Sequence, residues 1–212
     1  MMILDGKKEE DLIKCQTIIK HGGIIVYPTD TVYGLGCDPY NKKSVEKIFR
    51  IKNRIIKKAL PILTFDIRHV EKIMFLGESG RKLAHSFWPG PLTIIGTLKD
   101  LNIPQLITAG QQTVGMRIPA NIEILNLLKF CNFIVGTSAN VSNESSCIYA
   151  SEVMKSPLIG YDAIVIGDDE KPKHPFSFKG STIVDISTPN LKIVREGVIK
   201  SETIYEILHQ YK

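Results

Sequence analysis

Residues Ile24–Asp38 read IIVYPTDTVYGLGCD, and the placement of the other segments follows from how this stretch is read. Ile24 to Tyr27 is an apolar, β-branched run, the pattern of a buried strand. Pro28 has no N–H for a ladder, so the strand stops there. Thr29, Asp30, Thr31, Tyr33, Gly34 and Gly36 follow. A core strand that ends in hydroxyls and glycines sets polar side chains at the rim of a sheet, where backbone can bend closely around a ligand. The plain alternative is a Thr/Gly turn between a strand and a helix.

Upstream, Leu12, Ile13, Ile18 and Ile19 recur as on an amphipathic helix over Glu9–His21, ended by Gly22-Gly23. Downstream, Asn41 suits the cap of a helix with Val45, Ile48, Phe49 and Ile51 facing inward. LPILTF (Leu60–Phe65) reads as a strand, and Asp66 as the cap of a helix over Ile67–Phe75. A helix over Glu78–Phe87 stops at WPGP (Trp88–Pro91). Strands are expected at Leu92–Leu98, Thr113–Pro119, Phe133–Ser138 and Ala163–Gly167, with a helix over Ile122–Phe130 and a short one near Ala150–Lys155. Lys99–Gln112 and the proline-containing Asp168–Gly180 read as loops. STIVDI and LKIVREG read as two strands about Thr188-Pro189-Asn190, and a last helix begins near Ser201. Helices and strands alternate without repeat or linker. The expectation is one α/β domain over residues 1–212, a mixed twisted sheet with flanking helices.

Composition narrows the class. The chain has 212 residues, 43% hydrophobic and 23% charged, ordinary for a globular protein able to bury a core without staples. Its four cysteines form no CxxC pair, which argues against structural zinc and for free thiols in a reducing compartment. No signal-like h-region or membrane-length apolar run is present, so the expected location is the cytoplasm, away from membranes. The net charge of +5 leans mildly toward anionic partners such as nucleotide or RNA.

Four constellations could carry chemistry. Lys47, Arg50, Lys52, Arg54, Lys57 and Lys58 crowd the segment before a buried strand, soon after the Thr/Gly loop. A solvated helix end would look similar. A polyphosphate site also needs several cations, and Arg grips phosphate in bidentate fashion. There is no GxxxxGK[ST] and no GxGxxG. Arg117, flanked by Met116 and Ile118, should face opposite to them: toward solvent, or into a cavity where it could hold a carboxylate or phosphate. GTSAN (Gly136–Asn140) puts small polar residues at the end of another buried strand, with no GxSxG around Ser138. Ser181 opens a strand and Arg195 closes one. The five histidines lack metal-ligand spacing, and no Ser-His-Asp or Cys-His pairing stands out.

In order along the chain, YPTDTVYGLGCD, KNR with its basic tail, FWPGPLT, VGMRIP, TSANVS, STIVD and VREG resemble the YrdC-like family of threonylcarbamoyl-AMP synthases, in its single-domain form. The resemblance implies a sheet folded around a large concave cleft. It implies condensation of L-threonine, bicarbonate or CO2, and ATP to threonylcarbamoyl-AMP and pyrophosphate, with Mg2+ on the phosphates. The product serves N6-threonylcarbamoyladenosine modification of tRNA next to the anticodon, through a downstream threonylcarbamoyl transferase complex or by direct tRNA binding. It further implies Thr31, Arg117, Ser138 and Ser181 at threonine, with Arg117 on its carboxylate. Lys52, Arg54 and Lys58 would meet the triphosphate; Thr113, Asn140, Ser146 and Arg195 would line the nucleotide site. Ile55 stands where the family usually has proline, and Asn143-Glu144-Ser145-Ser146 where it usually has Gly-x-Pro-Ser. Two rival readings are a non-catalytic double-stranded RNA or tRNA-binding module and a carbamoyl-adenylate-handling domain.

Overall fold

The computed structural model describes residues 1–167 and 179–209. The stretch Ile24–Asp38 becomes two short antiparallel strands, β2 (Ile25–Tyr27) and β3 (Gly34–Gly36), joined by the polar loop at 28–33. β2 is buried on both faces. Ile24 and Val26 enter the main core, while Ile25 and Tyr27 enter a second core on the far side. That two-sided burial explains the unbroken apolar run, because neither face of the strand meets water.

β1 (Met2–Asp5), a strand absent from the reading of the sequence, pairs in parallel with β10 (Ala163–Ile166), which pairs in parallel with β2. Its alternation spans four residues, too short to register as a period. The helix α1 (Glu9–Lys20) packs with α6 (Ile122–Cys131) over this sheet through Leu12, Cys15, Ile19, Ile124, Leu127 and Leu128. Asn41 caps α2 (Lys42–Ile51), accepting from the Ser44 N–H at 3.2 Å.

The remaining strands form a second, mixed sheet. β4 (Ile62–Leu63) lies between β7 (Thr113–Arg117) and β8 (Ile134–Val135); β6 (Leu92–Leu98) follows β7, then β11 (Thr182–Asp185) and β12 (Lys192–Arg195). α3 (Ile67–Ile73), capped by Asp66, stops short of its expected end. Met74–Phe75 instead forms β5 on β6, since a ladder partner outcompetes another half-turn of helix. α4 (Gly77–Phe87) runs into Trp88-Pro89-Gly90 as expected. A short helix, α5 (Gln105–Thr108), interrupts the expected Lys99–Gln112 loop. α7 (Ala150–Lys155) and α8 (Ser201–His209) complete the helices, and none of the described helices is long and apolar enough to cross a membrane. Most of the expected Asp168–Gly180 loop lies outside the described residues.

The expected strand Phe133–Ser138 is split, and the split makes the fold. β8 pairs with β4 in the second sheet, whereas β9 (Thr137–Ser138) pairs with β3 in the first. The chain changes sheets at Gly136, whose N–H donates to Pro61 O at 2.8 Å. Beside it the Val135 N–H donates to Cys37 O at 2.9 Å, and the buried Tyr27 hydroxyl donates to Val135 O at 2.6 Å. Gly36 allows this approach: a Cβ there would lie 2.1 Å from Val135 O. The mixed sheet is thus two sheets hinged at one five-residue segment, and the space between them is the cleft.

Gly36→Ala should therefore destabilise the fold by roughly 2–3 kcal/mol, the upper range for overpacking against atoms that cannot move aside. Urea denaturation monitored by the single tryptophan reads this; an unchanged midpoint would mean that the sheets meet less tightly.

Candidate active site

The cleft encloses about 240 Å³ between the two sheets. Into it come Thr31 from the 28–33 loop, Arg117 from the end of β7, Ser138 from the end of β9, Ser181 from just before β11 and Arg195 from the end of β12. Arg54, just past α2, and Ser146 complete the expected residues that line it. These positions are far apart in sequence, and each sits at a strand end or in a loop facing the sheet hinge.

Arg117 does not face solvent; it is 7% exposed. Its Nε donates to Gly90 O at 3.0 Å, Nη1 to Thr31 Oγ1 at 3.2 Å, and Nη2 to Asp30 Oδ1 at 2.7 Å. The WPG turn and the PTD loop thus aim a guanidinium across the cleft. Asp30 Oδ1 also accepts from the Ala120 N–H at 2.9 Å, while its buried Oδ2 has no partner. Such a buried pair fixes geometry, and removing either member strands the other charge.

On the facing wall, Ser181 Oγ lies 2.9 Å from Thr93 Oγ1, both side chains being buried. Arg195 straddles the Ser181 carbonyl, donating from Nη2 at 2.7 Å and Nε at 3.1 Å. Arg54 donates from Nη2 to Ala59 O at 2.9 Å and from Nε to Lys58 O at 3.3 Å. Burial and the neighbouring Arg195 push the Arg54 pKa below its ordinary value; burial and Arg117 do the same to Arg195. Three guanidiniums converge on the cleft, and the one carboxylate paired with them, Asp30 on Arg117, is not part of its lining, an arrangement poised for anions.

Lys52, expected at the triphosphate, is held elsewhere. It is 1% exposed, and its Nζ donates to Ser138 O, to Asn140 O at 2.6 Å and to Asn140 Oδ1 at 3.3 Å. Burial and Arg54 draw its pKa down to about 7, against the three oxygens that favour the ammonium. It acts here as a strut that sets the TSAN turn. Asn140 Nδ2 donates in turn to Glu144 O at 2.6 Å. Lys58 is exposed, and Thr113 Oγ1 turns to Gln111 at 3.3 Å. Lys52, Lys58, Thr113 and Asn140 therefore do not line the enclosed cleft.

Asp30, Thr93 and Lys179 are site residues that the reading of the sequence did not single out. Asp30 and Thr93 stand inside the quoted motifs, but only the fold shows that Asp30 meets Arg117 and Thr93 meets Ser181. Arg54 also borders a larger outer groove, about 1180 Å³, flanked by Lys42, Arg50 and Lys57 with Glu46 as its one carboxylate among the described residues. No group of three or more described His, Cys, Asp or Glu side chains could hold a metal ion.

Lys52→Met should cost roughly 2–4 kcal/mol of stability, because buried acceptors lose a charged donor. It should also speed amide exchange at Ser142, whose N–H donates to Lys52 O at 2.8 Å. Chemical denaturation and hydrogen exchange measure the two effects, and a variant as stable as the original chain would refute the strut.

The geometry can be set beside known proteins. The Sua5/YciO/YrdC family model, described as telomere recombination, matches residues 17–197. The threonylcarbamoyl-AMP synthase of Buchnera aphidicola subsp. Schizaphis graminum (strain Sg) is 34% identical over 191 residues, 87% of this chain and 94% of that protein. The structure of P. abyssi Sua5 complexed with L-threonine superposes with a TM-score of 0.88 at 27% identity, over 98% of this chain and 60% of that one. E. coli YciO superposes with a TM-score of 0.82 at 25% identity, over 96% of this chain and 97% of that one. With the family model spanning most of its length, this chain belongs to the Sua5/YciO/YrdC family.

Proposed function

We propose that this protein is an L-threonylcarbamoyladenylate synthase, a nucleotidyltransferase that condenses L-threonine, bicarbonate or CO2, and ATP into threonylcarbamoyl-AMP and pyrophosphate. The observation that carries the reading is the convergence of Arg117, Arg195 and Arg54 with the Ser138, Ser181 and Thr31 hydroxyls on one small cleft. Such a site suits an amino acid's carboxylate and hydroxyl beside a phosphate. The threonine-bound Sua5 relative and the synthase from Buchnera supply the substrate identity.

In this reading the work is positioning and charge stabilisation. The threonine carbamate oxygen attacks the α-phosphorus of ATP and pyrophosphate leaves, so no protein nucleophile is needed. Arg117 holds the threonine carboxylate through donors not spent on Gly90, Thr31 and Asp30. Thr31, Ser138 and Ser181 orient the rest of the amino acid, and the Ser181 hydroxyl is itself steadied by Thr93 and Arg195. Arg54 and Arg195 meet phosphate, with Ser146 beside them. The enclosed volume takes an amino acid and one phosphate, so the rest of ATP extends past Arg54 toward the basic groove lined by Arg50 and Lys57. Lys52 and Asn140 act one step back, by shaping the Ser138 turn. Mg2+ would travel on the ATP phosphates, since the described lining offers it no carboxylate. The product would pass to a threonylcarbamoyl transferase acting on tRNA, in the cytoplasm.

The test is pyrophosphate release from ATP with threonine and bicarbonate each present or omitted; release should require both. Release without threonine would assign a different adenylated substrate. Arg117→Ala should weaken threonine by about 2–5 kcal/mol while ATP affinity changes little, the second reading also reporting that the variant is folded. Threonine titration unaffected by that change would remove Arg117 from the site. Arg54→Ala should lower ATP affinity, and loss of RNA binding alone would favour the non-catalytic RNA-binding alternative.

A further inference from the structure

We infer that the cleft takes its amino acid as the free amine, so that binding itself releases the α-ammonium proton to solvent. This rests on the reading of the cleft as an amino-acid site and specifies the ionic form bound there.

The charged lining is one-sided. Arg117 enters from β7, Arg195 from β12, Arg54 from the segment after α2, and Lys179 from the segment before β11. No carboxylate lines the enclosed cleft among the described residues. The nearby Asp30 is not part of that lining: its Oδ1 accepts from Arg117 and from the Ala120 N–H, and its unpartnered Oδ2 is buried rather than presented to the cleft. The ionisable hydroxyls of Tyr27 and Tyr33 complete the titratable lining, and Tyr27 is committed as a donor to Val135 O.

Four backbone oxygens around the cleft already carry cations. Gly90 O takes Arg117, Ser181 O takes Arg195, Ala59 O takes Arg54, and Ser138 O takes Lys52. A carbonyl has a second lone pair, but a ligand ammonium using it would sit against the fixed cation already on the first. Like charge in a partly desolvated site disfavours the charged form. The neutral amine carries no such penalty, and its carboxylate still gains the arginines. The same bias favours the next species on the proposed path, since a carbamate adds a second negative charge where four cations converge. Proton balance is simple: the bound ammonium becomes an amine, and one proton goes to buffer.

The experiment is calorimetric titration of the intact chain with L-threonine in degassed solution, without ATP, from pH 6.5 to 8.5. Two non-phosphate buffers of different ionisation enthalpy count the protons. The control ligand is 2,3-dihydroxybutyrate, in which a hydroxyl replaces the amine; it reports protons moved by the protein itself, Lys52 included. Below the amine pKa, threonine affinity should rise about tenfold per pH unit with one proton released per threonine, while the control stays nearly flat. Threonine bound with flat affinity and no proton release beyond the control would overturn the inference and leave the amino-acid site standing. If neither ligand bound at any pH, the amino-acid reading and the inference would both fall.

Discussion

The structure depends on one steric constraint: five residues, 134–138, belong to both sheets. Their first pair hydrogen-bonds with β4 and their last pair with β3, with Gly136 as the crossing point. The approach is possible because Gly36 presents no Cβ to Val135 O, and because Tyr27 reaches across to the same carbonyl. Two sheets joined at one corner cannot lie flat on each other, so they enclose a space. Polar strand ends from both sheets open into that space, which is why hydroxyls and arginines collect there.

The second organising fact is electrostatic. Cations at the cleft are not left to find their own rotamers. Gly90 O holds Arg117, Ser181 O holds Arg195, and Ala59 O and Lys58 O hold Arg54. Each carbonyl aims a positive group and keeps it from collapsing onto a nearby acid. Asp30 is the exception, and it fixes Arg117 while neutralising part of its charge. A site built this way is preorganised for anions before any ligand arrives, which is the economical form of electrostatic catalysis.

Much of this was legible from the chain. The strand at Ile24–Tyr27, the caps at Asn41 and Asp66, and the stop at WPGP each follow from local chemistry, and each appears in place. Arg117 lines the cleft while its neighbours Met116 and Ile118 pack in the core, as strand alternation predicts, because that alternation is a local property. Less visible was β1, whose only support is its partner β10, some 160 residues distant in the chain. The division of Phe133–Ser138 between two sheets was equally hidden, since both halves have strand-forming residues and nothing local says which partner each half takes.

By itself, then, the order of residues determined the element types, the apolar core and the chemical inventory of the site, its hydroxyls and arginines. These depend on periodicity, capping and side-chain chemistry, which act over a few residues. Tertiary structure decided which members of that inventory meet. It turned Lys52 inward to the Ser138 and Asn140 carbonyls rather than toward the cleft, and brought Asp30 to Arg117 and Thr93 to Ser181. Such pairings arise between segments as much as 88 positions apart in the chain. The reason is that they follow from how two sheets share one corner, and no short stretch of sequence carries that relation.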